Sequence, residues 1–165
     1  MARKSSDRSI LPSLLDRLID DEPGNRMEAA DRRAQSLNEL QDSVRRDLEW
    51  LLNSRRPPVE PAPSAKELRQ SVYCYGLPDT TGLAMHSAED RNRMARMVAS
   101  AVAAFEPRLQ NVTVSVEQAG ASSRVLHFRI EALLRVDPSP ARVFFDTTLE
   151  LTSGEYEVTG GARAR

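Results

Sequence analysis

The spacing of apolar residues changes once along the chain, at Pro107, and that change restricts the fold more than any other feature. Before it, apolar positions recur every three or four residues; after it they recur every second residue. The first spacing lines one side of a helix and the second one face of a half-buried strand. Helices therefore come first and strands last. The strand connections are short enough to demand antiparallel neighbours, so the chain reads as α+β, with amino-terminal helices packed on one face of a mainly antiparallel sheet of about four strands.

The helical half divides at its capping and breaking residues. Leu11, Leu14, Leu15, Leu18 and Ile19 form a short amphipathic stripe, and the polar stretch from Gly24 to Gln35 separates it from the remainder. Ser36 and Glu39 have capping-box spacing. They precede the clearest helix, with Leu37, Leu40, Val44, Leu48 and Leu51 on one face and Trp50 and Leu52 widening it. Pro57 ends that helix, and RRPPVEPAPS is a proline-stiffened connector. Ser64 and Glu67 repeat the capping spacing before a short helix through Leu68, Val72 and Tyr75 that closes at Gly76. Ser87 caps the last helix, whose apolar positions are Met94, Met97, Val98, Ala101, Val102 and Phe105.

In the strand half, Val112 to Val116 alternate first, then Leu126 to Val136, then Val143 to Leu151, and finally a short strand carries Tyr156 and Val158. The domain reading is residues 1–35 as an amphipathic helix with a mobile connection, 36–159 as a single α+β domain, and 160–165 as a frayed, disordered tail.

Chemistry-bearing residues are sparse. There are 23 basic and 24 acidic residues, balanced in each third of the chain, so no basic face supplies the electrostatic term that drives nucleic-acid binding. No apolar run approaches the roughly 20 residues of a membrane span. The amino end lacks the pattern of a secretory signal, which places the chain in the cytoplasm. Cys74 is the only cysteine, with His86 and His127 the only histidines; neither a disulfide nor a soft-ligand metal set can be built from these, so no metal and no cofactor is expected. Cys74 reads as a small buried hydrophobe and His127 as a solvated strand residue. Paired carboxylates are the one catalytic arrangement composition permits: Glu106 as acid with Asp79 or Asp146 would suit a glycoside hydrolase. Acidic residues are too common to make that specific.

Glu106, Pro107 and Arg108 sit at the change of period, where the proline stops the helix and fixes the direction of two flanking charges. Such a junction either offers a rigid Glu and Arg to a partner or ends a helix with two solvated charges. As surface charges, either could be removed at a cost of only ~0.5 kcal/mol.

Five blocks in order, PSLLDRLIDDEP (Pro12 to Pro23), SVRRDLEWLLNSRR (Ser43 to Arg56), SVYCYGLPDTTG (Ser71 to Gly82), FEPRLQNV (Phe105 to Val112) and FDTTLELTSGEYEV (Phe145 to Val158), resemble the TssE family of type VI secretion baseplate subunits. That family is similar to the tail-lysozyme-like baseplate wedge proteins of contractile phages. The resemblance runs from about Ser9 to Val158. It implies a structural, non-enzymatic role in a baseplate at the inner face of the cytoplasmic membrane, between a wedge made with TssF, TssG and TssK and the first ring of the contractile sheath. It also implies that the Glu106-Pro107-Arg108 motif binds the other wedge subunits, and that the sheet mimics a sheath subunit, with Phe144 to Val158 as the candidate edge for an incoming strand. The lysozyme-like label supplies the competing reading, a peptidoglycan hydrolase acting through Glu106.

Overall fold

A computed structural model describes residues 13, 16, 18, 37–84, 87–117, 124–137 and 139–163. The chain forms two compact units, Met1–Val44 and Arg45–Arg165. In the first, Asp16 and Leu18 are helical. Ser13 Oγ accepts from the Asp16 N–H at 3.1 Å, as an N-cap does, and Asp16 Oδ2 accepts from Ser43 Oγ at 2.7 Å. Most of the expected Leu11 to Ile19 helix, the Gly24 to Gln35 connection, the Ser36 cap and His86 lie outside the described residues.

Helix α1 is Leu37–Asn53. Leu48, Leu51 and Leu52 in its second half are buried, whereas Trp50 is 49% exposed. Trp50 therefore does not widen the apolar face; its ring carries the Arg46 guanidinium at 5.2 Å instead.

The expected helix through Val72 and Tyr75 breaks in two. Helix α2 covers only Lys66–Arg69, its N-cap is Ala65, and no side chain caps it, so Ser64 does not make the predicted bond. Ser71 interrupts the run: its Oγ donates to the Leu68 carbonyl at 2.8 Å and accepts from the Tyr73 N–H, opening a single 3-10 turn at Val72–Cys74. A hydroxyl that bonds its own backbone competes with helix propagation. Cys74 is buried, and Val72, named above as a position of that helix, is exposed.

Gly76 follows at φ +103, and a Cβ there would lie 2.4 Å from the Ser54 carbonyl oxygen. The close approach serves a bridge in which the Leu77 N–H donates to Ser54 O (2.9 Å) and the Arg56 N–H to Leu77 O (3.0 Å). It fastens the chain leaving α1 to the segment that follows the 3-10 turn.

Helix α3, Ala88–Phe105, starts as expected at Ser87, whose side chain accepts from the Asp90 N–H, and buries Met94, Ala95, Val98, Ala101 and Val102. It packs on strand β1.

Strands β1 (Leu109–Val116), β2 (Val125–Leu134), β3 (Ala141–Glu150) and β4 (Tyr156–Arg163) form one antiparallel meander in the order β1-β2-β3-β4. Leu126, Phe128, Ile130, Ala132 and Leu134 of β2 and Val143, Phe145, Thr147 and Leu149 of β3 are buried in alternation, as the period-2 pattern predicts.

β4 runs farther than the sequence reading carries it. Gly160 pairs with Phe145 and Arg163 with Val143, across an irregularity where Gly160 takes φ +93. Main-chain pairing needs no apolar side chain, and glycine permits the left-handed step. The Phe144 to Val158 segment likewise resolves differently: its first part belongs to β3, an interior strand, and the true edges of the sheet are β1 and β4.

Candidate functional site

The junction between α3 and β1 is built from its proline outward. Pro107 has no N–H to continue the helix and forces the preceding residue out of helical geometry. Glu106 accordingly closes α3 at φ −118, ψ 80, its N–H bonded to the Val102 carbonyl. Its own carbonyl accepts from the Leu109 N–H at 3.1 Å, and the Arg108 carbonyl accepts from the Arg135 N–H at 2.8 Å. Helix end and first strand are thus joined by a single fixed turn.

Within that turn the two charges face each other. Glu106 Oε1 accepts from the Arg108 backbone N–H (3.2 Å) and Nε (2.7 Å), and Oε2 accepts from Nη2. Arg108 Nη2 also donates to Asp47 Oδ2 of α1 at 2.5 Å, and Asp47 Oδ1 accepts from Arg46 at 3.1 and 3.2 Å. Glu106 is 4% exposed. The expectation of two solvated surface charges is therefore corrected: the carboxylate is internal and Arg108 is shared between it and Asp47, while Pro107 lies at the surface.

Burial by itself would make the Arg108 guanidinium easier to deprotonate, but the hydrogen bonds and charges of Glu106, then of Asp47, outweigh it and hold the group more firmly cationic than a free arginine.

Tyr75 completes the cluster. Its ring meets Phe105 edge to face with centroids 5.4 Å apart. Burial, then the negative charges of Asp47 and Glu106, raise its pKa.

Asp47 and Tyr75 were not singled out by sequence reasoning. They stand 61 and 33 positions from Arg108 and Glu106-adjacent geometry cannot be read from spacing over such separations; the available signal was their presence in the SVRRDLEW and SVYCYG blocks.

Each catalytic candidate is engaged with a partner of its own. Both Glu106 oxygens accept from Arg108, and a buried, occupied carboxylate is poorly placed to present a proton to a saccharide. Asp79 is exposed and accepts from the Thr81 N–H (3.0 Å) and hydroxyl (2.9 Å), contacts that lower its pKa. Asp146 pairs with Arg129 at 2.8 Å on the exposed side of β3. His127 is exposed on β2. Among the described residues no group of three His, Cys, Asp or Glu could hold a metal ion, and no helix is long and apolar enough to cross a membrane. What the junction can do chemically is hold Pro107 and the outer edge of Arg108 in one fixed orientation.

A solved chain from a structure titled "The baseplate complex from the type VI secretion system" superposes with a TM-score of 0.50 at 19% identity, over 74% of this chain and 98% of that one. At that identity the likeness is one of fold. No curated protein matches the chain significantly. The family model described as "Baseplate wedge protein gp25" matches residues 38–139. That span exceeds half of the chain and includes Asp47, Tyr75, Glu106, Pro107 and Arg108, and so the chain belongs to the baseplate wedge protein gp25 family.

Proposed function

We propose that the chain is a structural subunit of a type VI secretion baseplate, that it joins the wedge complex to the first ring of the contractile sheath, and that it does so without catalysing a reaction. Its wedge partners in this reading are TssF, TssG and TssK, and it works on the cytoplasmic side, at the inner face of the membrane. The observation that carries the reading is the junction of Glu106, Pro107 and Arg108 inside the family match. Ion pairing beneath the surface fixes the turn before any partner arrives, and a preformed contact spares the ordering entropy of binding. Glu106 is buried, so its part is to position Arg108; Pro107 and the outer edge of Arg108 are the atoms that touch the wedge.

For the sheath contact, the β1 edge replaces Phe144 to Val158 as the candidate. Glu117 donates its N–H to His127 O, so by alternation the backbone groups of Val114 and Val116 face away from β2 and can accept a strand.

Deleting the chain from a type VI-competent bacterium is expected to abolish sheath assembly, scored by fluorescence of a labelled sheath protein, and the wild-type chain should restore it. Normal sheath assembly in the deletion strain would refute the reading.

A further inference from the structure

The two edges of the sheet are finished differently. At the β4 edge, Tyr156 and Val158 turn their side chains into the core (3% and 1% exposed), and their backbone polar groups are met by helix α1. Asn53 takes both groups of Tyr156: Nδ2 donates to the carbonyl at 2.8 Å and Oδ1 accepts from the N–H at 2.9 Å. One turn back, Glu49 Oε2 accepts from the Val158 N–H at 3.4 Å. One further turn back, Arg45 Nη1 donates to the Val158 carbonyl at 3.4 Å, with an Arg45–Glu49 ion pair of 3.7 Å linking the two side chains.

The match has a geometric basis. Residues 45, 49 and 53 advance about 6 Å per step along a helix. Outward-facing groups of a strand recur every two residues, about 6.8 Å. The step from Asn53 to Glu49 matches the step from Tyr156 to Val158 to within about 1 Å, and Arg45, one turn further back, reaches the same Val158 with its long side chain, so the helix offers the donors and acceptors that a neighbouring strand would provide to these two residues. Among the described residues the β1 edge has no such row. It carries a bulge between Gln110 and Thr113, with Asn111 at φ +53.

We propose that Arg45, Glu49 and Asn53 form a surrogate strand that closes the Tyr156–Val158 stretch of the β4 edge against a second copy of this chain. A second copy is the occupant to exclude because the edge is self-complementary. Two β4 strands pairing antiparallel about a two-fold axis would join their core faces, each carrying Tyr156 and Val158, into one continuous apolar surface. Leaving the edge open would let the subunit pair with itself away from the assembly. This inference concerns the isolated chain and does not depend on the function proposed above.

The test is sedimentation velocity of the full chain carrying Glu49→Ala and Asn53→Ala, with amide hydrogen exchange on the same samples. Self-association should be at least about tenfold tighter than in the wild type, the gain expected when freed backbone groups find partners. The Tyr156 and Val158 amides should become protected as concentration rises. A folded double variant that associates no more tightly than the wild type overturns the proposal, and so does association that leaves those amides unprotected. Should the double variant fail to fold, Glu49→Ala alone, which keeps both Asn53 bonds, is expected to shift association in the same direction; a folded single variant with wild-type association contradicts the proposal equally.

Discussion

Arg108 crosses 61 positions of sequence to place its Nη2 2.5 Å from Asp47 Oδ2, while the same guanidinium binds both oxygens of Glu106. The Glu-Pro-Arg motif is thereby part of a three-residue ion cluster tying the end of α3 to α1. The cluster holds the turn, and with it Pro107, in place.

Removing Arg108 should therefore cost far more than a surface charge does. Arg108→Ala leaves the buried Glu106 carboxylate without its guanidinium and Asp47 with Arg46 alone, and the expected loss is about 3 kcal/mol. Glu106→Gln keeps the shape but turns one acceptor into a donor facing the guanidinium, for a loss of roughly 1–2 kcal/mol. In the double variant the two losses should fall well short of their sum, since both break one interaction. Urea denaturation measures all three. Additive losses, or single losses near ~0.5 kcal/mol, would show that the pair does not act as a unit.

Gly76 cannot carry a side chain. At φ +103 with the Ser54 carbonyl 2.4 Å from an added Cβ, Gly76→Ala must strain the backbone and open the Ser54–Leu77 bridge. The expected destabilisation is at least about 2 kcal/mol, positive φ and the clash combined. Thermal denaturation against Gly82→Ala, where a Cβ meets nothing within 4 Å, supplies the control. Equal melting temperatures would contradict the assignment.

Tyr156 should make stability fall at high pH. Burial pushes its phenol up to about 12, with Arg55 opposing the shift, and the hydroxyl donates to Met94 Sδ at 3.6 Å. Between the ordinary tyrosine value near 10 and about 12, the folded chain holds a proton that the unfolded chain releases. Stability from this group is thus whole below pH ~10 and is lost as pH rises through the folded value, by up to roughly 3 kcal/mol. Tyr156→Phe should flatten the decline in denaturation curves taken across that range. An unchanged slope would place the alkaline loss elsewhere.

The sequence was most readable where burial alone decides structure. The α3 stripe and the alternation of β2 and β3 follow from which side chains must leave water, and Met94, Val98, Ile130 and Phe145 are buried as their spacing predicts. Reading failed where a polar group chose between partners. Ser71 won its local bonds over helix continuation, and Ser64 capped nothing through its side chain. Trp50 stacked with Arg46 in place of core packing. At the candidate site, the fixed turn at Glu106, Pro107 and Arg108 was legible from the proline at the period change, but its ion pair with Asp47 was not. A charged residue on a helix exterior carries no local mark of a partner 61 positions away. The closing of the β4 edge by Asn53 and Glu49 was hidden for the same reason, since the strand it pairs with is 103 and more residues distant.

Co-purification of TssF and TssG with the tagged chain, comparing wild type with Arg108→Ala, addresses whether this junction is a wedge contact. It should be run at a temperature where near-ultraviolet circular dichroism and a cooperative melt show the variant to be folded. Capture by the wild type and its loss in the folded Arg108→Ala chain is the predicted result. Undiminished capture of both subunits by a folded Arg108→Ala chain would contradict it and leave the Glu106–Arg108–Asp47 cluster with a purely internal role.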